Sequence, residues 1–161
     1  FYFHFQNLLF AGRNTTFLCC RVDKERHGTV LVSGVFTHQY HAESHFLLWF
    51  QKNFLSLDKD FQVTWYLSWS PCPACAKQVA DFLAVHRNVS LTIFSARLYY
   101  FWDPEFRDGL HRLFEKGARV AIMSPKDFEN CWEGFVFNGR DFRPWDNMVE
   151  NYQSLRITLQ E

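Results

Sequence analysis

The stretch Phe61–His86, FQVTWYLSWSPCPACAKQVADFLAVH, changes its period in the middle. From Phe61 to Trp69 it is rich in aromatic and β-branched side chains, the composition of a strand. From Cys72 to His86 its apolar residues recur at helical spacing, with Pro71 and Pro73 punctuating the junction. The same alternation extends outward. Strand-like runs occupy Thr15–Val22, Thr29–Phe36, Val89–Phe94 and Arg119–Met123, and helical spacing appears at Ala42–Phe54, Pro104–Lys116, Pro125–Phe137 and Asn147–Leu159. Asp103 suits the cap and Pro104 the first position of its helix, and Gly117 suits the C-terminal end. Two strands in succession, then helix and strand in turn, predict an α/β fold. It is a three-layer α/β/α sandwich on a five-stranded mixed sheet, with helices on both faces.

No repeat, low-complexity tract or flexible linker divides the 161 residues, so 1–161 is expected to be one domain. The opening at Phe1, with no initiator Met, suits a domain cut from a longer, two-domain protein. No signal peptide and no membrane-spanning run is read. With 48% hydrophobic and 21% charged residues the chain is not of the disordered class. Nineteen Phe are more than a core of this size requires, which predicts rings on a binding surface. Seventeen basic and seventeen acidic side chains cancel, so attraction to a polyanion must come from a local groove. Five cysteines at irregular spacing exclude a disulfide scaffold and predict reduced thiols in an intracellular setting. The sequons at Asn14 and Asn88 are then chance matches.

His41-Ala42-Glu43 and Pro71-Cys72-Pro73-Ala74-Cys75 each stand where a loop enters a helix. Cys72 and Cys75, three apart, share one helix face, and His41 from another helix start completes a three-ligand set. Three protein ligands leave one tetrahedral position open, the mark of a catalytic zinc rather than a structural one. Helix N-termini favour thiolates, which strengthens the two cysteines as ligands. Glu43, two residues from the histidine, is placed to carry protons without binding metal. H-x-E followed by P-C-x-x-C is the signature of the zinc nucleobase deaminases.

Beyond these motifs the chain resembles the APOBEC/AID polynucleotide cytidine deaminases, in particular the antiviral third APOBEC subfamily and its second zinc-domain type. The likeness rests on Thr64–Cys75 (TWYLSWSPCPAC), Ile93–Asp103 (IFSARLYYFWD), Cys131–Val136 (CWEGFV) and Phe142–Trp145 (FRPW). It implies a five-stranded sheet with about six helices, the first over Phe1–Leu8. It also implies zinc-dependent hydrolysis of cytosine to uracil in single-stranded DNA or RNA, within antiviral defence. Carried over by motif position, Trp69 and Ser70 line the cytosine pocket, Tyr99 stacks on the target base, and Thr16 closes the pocket floor. His38, in Phe36-Thr37-His38-Gln39, replaces the Asn that contacts the target sugar in catalytic members. The family contains silent domains that keep the zinc set, so a pseudo-deaminase that binds nucleic acid or protein without turnover is the alternative function. The resemblance further implies a viral accessory protein that triggers degradation as a partner, on the helices from Ala42 and Pro104. No membrane is expected as a partner, and the cytoplasm and nucleus are the expected compartments.

The remaining candidates have plainer readings. Neither His38 nor His45 is taken as a further ligand. Cys19 and Cys20 are adjacent on a strand and point to opposite faces, so they cannot share a metal, and Cys131 reads as buried packing. Four successive rings, Tyr99–Trp102, cannot all face inward, which favours a binding surface there. Phe46, Leu47, Trp49, Phe50 and Phe54 form a core face, and Arg21, Lys24 and Arg26 a solvated hairpin tip.

Overall fold

The computed structural model describes residues 16–24, 29–38, 42–53, 60–98, 103–135, 144 and 148–160. Five strands form one mixed sheet: β1 (Thr16–Lys24), β2 (Thr29–His38), β3 (Phe61–Leu67), β4 (Val89–Ser95) and β5 (Arg119–Ile122), in the order β2-β1-β3-β4-β5. β1 is antiparallel to both β2 and β3, while β3, β4 and β5 run parallel. Five helices are described: α1 (Ala42–Asn53), α2 (Pro73–Val85), α3 (Pro104–Glu115), α4 (Pro125–Phe135) and α5 (Met148–Gln160). The expected helix over Phe1–Leu8 lies outside the described residues. Among those described, no helix is long and apolar enough to cross a membrane.

The predicted three layers follow from strict alternation along the strands. Leu18 and Cys20 of β1, Val63, Trp65 and Leu67 of β3, and Leu91 and Ile93 of β4 face one core, built with Phe46 and Phe50 of α1 and Val79 and Phe82 of α2. Trp65 is fully buried, with its ring edge-on to Phe46 at 5.1 Å. Phe50 stands edge-on to Phe61 at 5.4 Å and to Phe82 at 6.1 Å, so truncating it would cost about 3–5 kcal/mol. The intervening residues face the opposite core. There Cys19, Met123, Phe128, Cys131 and Met148 pack with Phe17, Tyr66 and Phe94, bringing α4 and the start of α5 onto the other side of the sheet. Cys19 and Cys20 therefore do part to opposite faces.

Punctuation acts where the sequence places it. The Asp103 carboxylate accepts the Glu105 N–H at 2.9 Å and Pro104 opens α3, while Gly117 adopts φ +94°, a conformation that glycine reaches without a Cβ penalty. Within α3, Gly109 lies so close to α2 that an added Cβ would sit 3.1 Å from the Cβ of Ala76, the residue after Cys75. The absence of a side chain there lets α3 press on the first turn of α2.

Candidate active site

Two loops leave the carboxyl ends of the parallel strands β3 and β4 side by side, the position where α/β sheets commonly bind ligands. Residues 68–72 run from β3 into α2, and residues 96–98 leave β4 towards Tyr99. Main-chain bonds join them. Ala96 N–H donates to Leu67 C=O at 2.8 Å, and Ser70 N–H donates to Arg97 C=O at 2.9 Å. Ser68, fully buried, ties the same loop to β1: Phe17 N–H donates to its Oγ at 2.9 Å and its own N–H donates to Phe17 C=O at 3.0 Å. One residue before Phe17, Thr16 pairs with His38 across the β1–β2 ladder. The backbones of Thr16, His38, Trp69 and Ser70 thus gather at one end of the sheet. Ser70 is buried and Trp69 half-buried.

Beneath this loop, the starts of two helices meet. α2 begins after Cys72, whose carbonyl accepts the Ala76 N–H at 2.8 Å, with Pro73 at its first position. α1 brings Glu43, 3% exposed, alongside, and the Ser44 hydroxyl donates to Gln78 Oε1, linking α1 to α2. The Cys75 thiol lies within hydrogen-bonding reach of both Cys72 and Glu43, and its single proton serves one of them at a time. Burial, the largest cause, pushes the Glu43 carboxyl up to about 7, the Cys72 sulfur adds to the rise, and the bond from Cys75 opposes it. The Cys75 thiol is pushed far above its ordinary value, first by its bond to Cys72, then by burial and by Glu43.

The Glu43 carboxyl and the Cys75 thiol therefore meet in a buried spot beside the half-buried Cys72, and burial holds both towards their neutral forms. A divalent, thiophilic cation reverses both of those signs, because it stabilises thiolates and any nearby carboxylate. The donor chemistry fits zinc, with Cys72 and Cys75 as sulfur ligands. His41, the expected third ligand, lies outside the described residues, as does Tyr99. Among the described residues alone, no three His, Cys, Asp or Glu side chains form a complete metal set.

The sequence reading missed two residues that organise the site: Ser68, and Arg97, a guanidinium 1% exposed. An arginine embedded in the apolar run IFSARLYY was the available signal. Arg21, read as part of a solvated tip, is exposed and also pairs with the buried Asp23 at 3.1 Å.

A mixed sheet flanked by helices, with a Glu and a Cys pair at adjoining helix starts, defines the α/β deaminase class. The family described as APOBEC3, cytosine deaminase domain, matches residues 1–161, and the chain belongs to that family. It is 44% identical over 171 residues to the DNA dC->dU-editing enzyme APOBEC-3Ca of Felis catus, covering all of this chain and 88% of that protein. It is 46% identical over 170 residues to the DNA dC->dU-editing enzyme APOBEC-3 of Mus musculus and 42% identical over 176 residues to APOBEC-3G of Papio anubis. The whole chain again takes part, but it spans only 39% and 46% of those two proteins.

Proposed function

We propose that this domain hydrolyses cytosine to uracil in single-stranded DNA, with zinc held by His41, Cys72 and Cys75. The observation that carries the reading is the meeting of Glu43 with the Cys72–Cys75 pair, under a loop that presents Trp69 and Ser70. Relatives that align over the whole chain bear the name DNA dC->dU-editing enzyme, which supports cytosine in DNA as the substrate.

When bound, zinc supplies a nucleophilic water at neutral pH. The chain's own residues do the rest. Glu43 takes one proton of the attacking water at its carboxylate and passes it to the ring nitrogen of cytosine, then takes the second and passes it to the amine, which leaves as ammonia while the oxygen stays on the ring carbon. Its burial keeps that proton exchange away from bulk solvent. Trp69 and Ser70 hold the unstacked base from one side, Thr16 from the floor and Tyr99 from the neighbouring loop, since a flipped base is held by rings and by contacts to its polar edge. By motif position, His38 takes the place of the Asn that contacts the sugar in catalytic relatives. It offers one donor and one acceptor when neutral, against the paired groups of an amide, so it slows turnover relative to an Asn there. RNA is a second strand type the same pocket accepts. An antiviral role, a viral accessory protein as partner, and residence in cytoplasm and nucleus complete the proposal.

The test uses zinc-loaded protein and a single-stranded oligonucleotide with one cytosine preceded by thymine, with uracil read by excision and strand cleavage. Uracil is expected from the native protein and not from Glu43→Gln. His38→Asn is expected to be faster by up to about a hundredfold, the scale of a misplacement of about 1 Å. Strand binding without uracil from either the native or the His38→Asn protein would replace the proposal with the silent-domain reading.

A further inference from the structure

Among the described residues, Arg97 is the basic side chain that folding takes wholly out of water, at 1% exposure. Burying a guanidinium costs several kcal/mol unless its surroundings repay the lost hydration. Three of its contacts fall on consecutive residues. Nε–H donates to Ser68 C=O at 2.9 Å, the guanidinium lies 4.0 Å from the centroid of the Trp69 ring, and the Arg97 carbonyl accepts the Ser70 N–H at 2.9 Å. A planar cation that both stacks and donates in its own plane is a geometry that lysine cannot reproduce.

These contacts sit at a junction. Ser68 to Ser70 lead directly into Pro71 and Cys72, and Arg97 itself is two residues before Tyr99. Trp69 remains half-buried, so its ring is backed by the cation while part of it stays accessible. An indole on a surface loop would otherwise sample several rotamers, and a base stacking on it would have to freeze one of them.

We infer that Arg97 is a positioning residue for the target base: it fixes the plane of the Trp69 ring and the course of the 68–70 loop into Cys72. This rests on the proposed reading of Trp69 as a wall of the cytosine pocket. Arg97 itself touches neither base nor metal; it pre-organises the wall, so the ordering cost is met during folding rather than during binding.

The test is Arg97→Lys in zinc-loaded protein with 15N-labelled tryptophan, the Trp69 indole N–H resonance being assigned by its loss in Trp69→Phe. Zinc content is expected to stay as in the native protein, the Trp69 resonance to shift and broaden, and KM for a cytosine-containing single strand to rise roughly tenfold, with kcat changed far less. An unmoved Trp69 resonance overturns the inference whatever the activity. A displaced resonance with unchanged KM shows that Arg97 holds the ring but that Trp69 is no pocket wall, which overturns both the positioning role and that part of the functional reading. Absence of deamination in the native protein overturns only the functional reading, because the resonance still reports whether Arg97 holds the ring. Should the lysine variant fail to fold, the reciprocal measurement decides. The Arg97 Nε–H resonance, displaced by the ring current of Trp69, moves in Trp69→Phe if the stack exists in solution, and an unmoved resonance overturns the inference.

Discussion

The molecule holds two pairs of neighbouring thiols, on opposite sides of the sheet, in different surroundings. Cys75 donates to Cys72, and Cys131 donates to Cys19. In each pair the donor is held well above the ordinary thiol range by that bond first and by burial second. What differs is the company. Cys72 and Cys75 come from one helix start, with Glu43 against Cys75 and Cys72 partly open to solvent. Cys19 of β1 and Cys131 of α4 are enclosed by Met123, Phe128 and Met148. Thiols become metal ligands when their neighbours favour the thiolate, and contact between two sulfurs does not supply that. Cys72 and Cys75 differ from the other pair in standing at a helix N-terminus with Glu43 beside them and Cys72 reachable from solvent.

The largest expected effect separates the pairs outright. A Cys72→Ala, Cys75→Ala double variant should lose zinc and all deamination, while Cys19→Ala, Cys131→Ala should keep both. The latter should be destabilised by about 1–3 kcal/mol through lost packing. Metal analysis with thermal melts reads the contrast, and zinc loss from a folded Cys19, Cys131 variant would break it. Next in size is Glu43→Gln, expected to lower turnover by about 10²–10⁴-fold while zinc stays bound, measured by uracil formation at matched metal content. Comparable turnover would remove Glu43 from the proton path.

A third effect belongs to the metal-free protein. Glu43 has its carboxyl raised from 4.5 to about 7 in the folded state. Its contribution to stability is therefore fully present below pH 4.5 and lost as pH rises through about 7, a change on the order of 3 kcal/mol. Chelator-treated protein should melt at progressively lower temperature across that window, and Glu43→Gln should flatten the trend; an equal slope in the variant would assign it to another group. The smallest effect is that of Gly109→Ala. Replacing a helical glycine gains about 1 kcal/mol of helix propensity, but the new Cβ would sit 3.1 Å from Ala76 and overpacking costs about 1–3 kcal/mol. The clash wins narrowly, so a net loss of about 1 kcal/mol is expected by denaturant titration, with a net gain showing that α3 yields without strain.

Much of this architecture is legible along the chain itself. The alternation of Leu18, Cys20 and Val22 against Cys19, and of Trp65 against Tyr66, declares both the strands and their faces, because a strand exposes successive side chains to opposite sides. Asp103, Pro104 and Gly117 mark the bounds of α3 through local backbone preferences. The spacing of Cys72 and Cys75 and their place at a helix start are equally local facts. No sequence period could state that Cys131 would meet Cys19 across 112 positions, that Thr16 would pair with His38, or that Ser68 would bond to Phe17 fifty-one residues earlier. Nor could it state that Arg97 would back Trp69 with its cation. Those relations depend on which strands become neighbours and which helix starts converge. The sequence alone determined the elements, their buried faces and the motif that brings Glu43 and the Cys72–Cys75 pair to helix starts; only the tertiary structure decided which groups touch, because burial sets charges and contacts through neighbours distant along the chain.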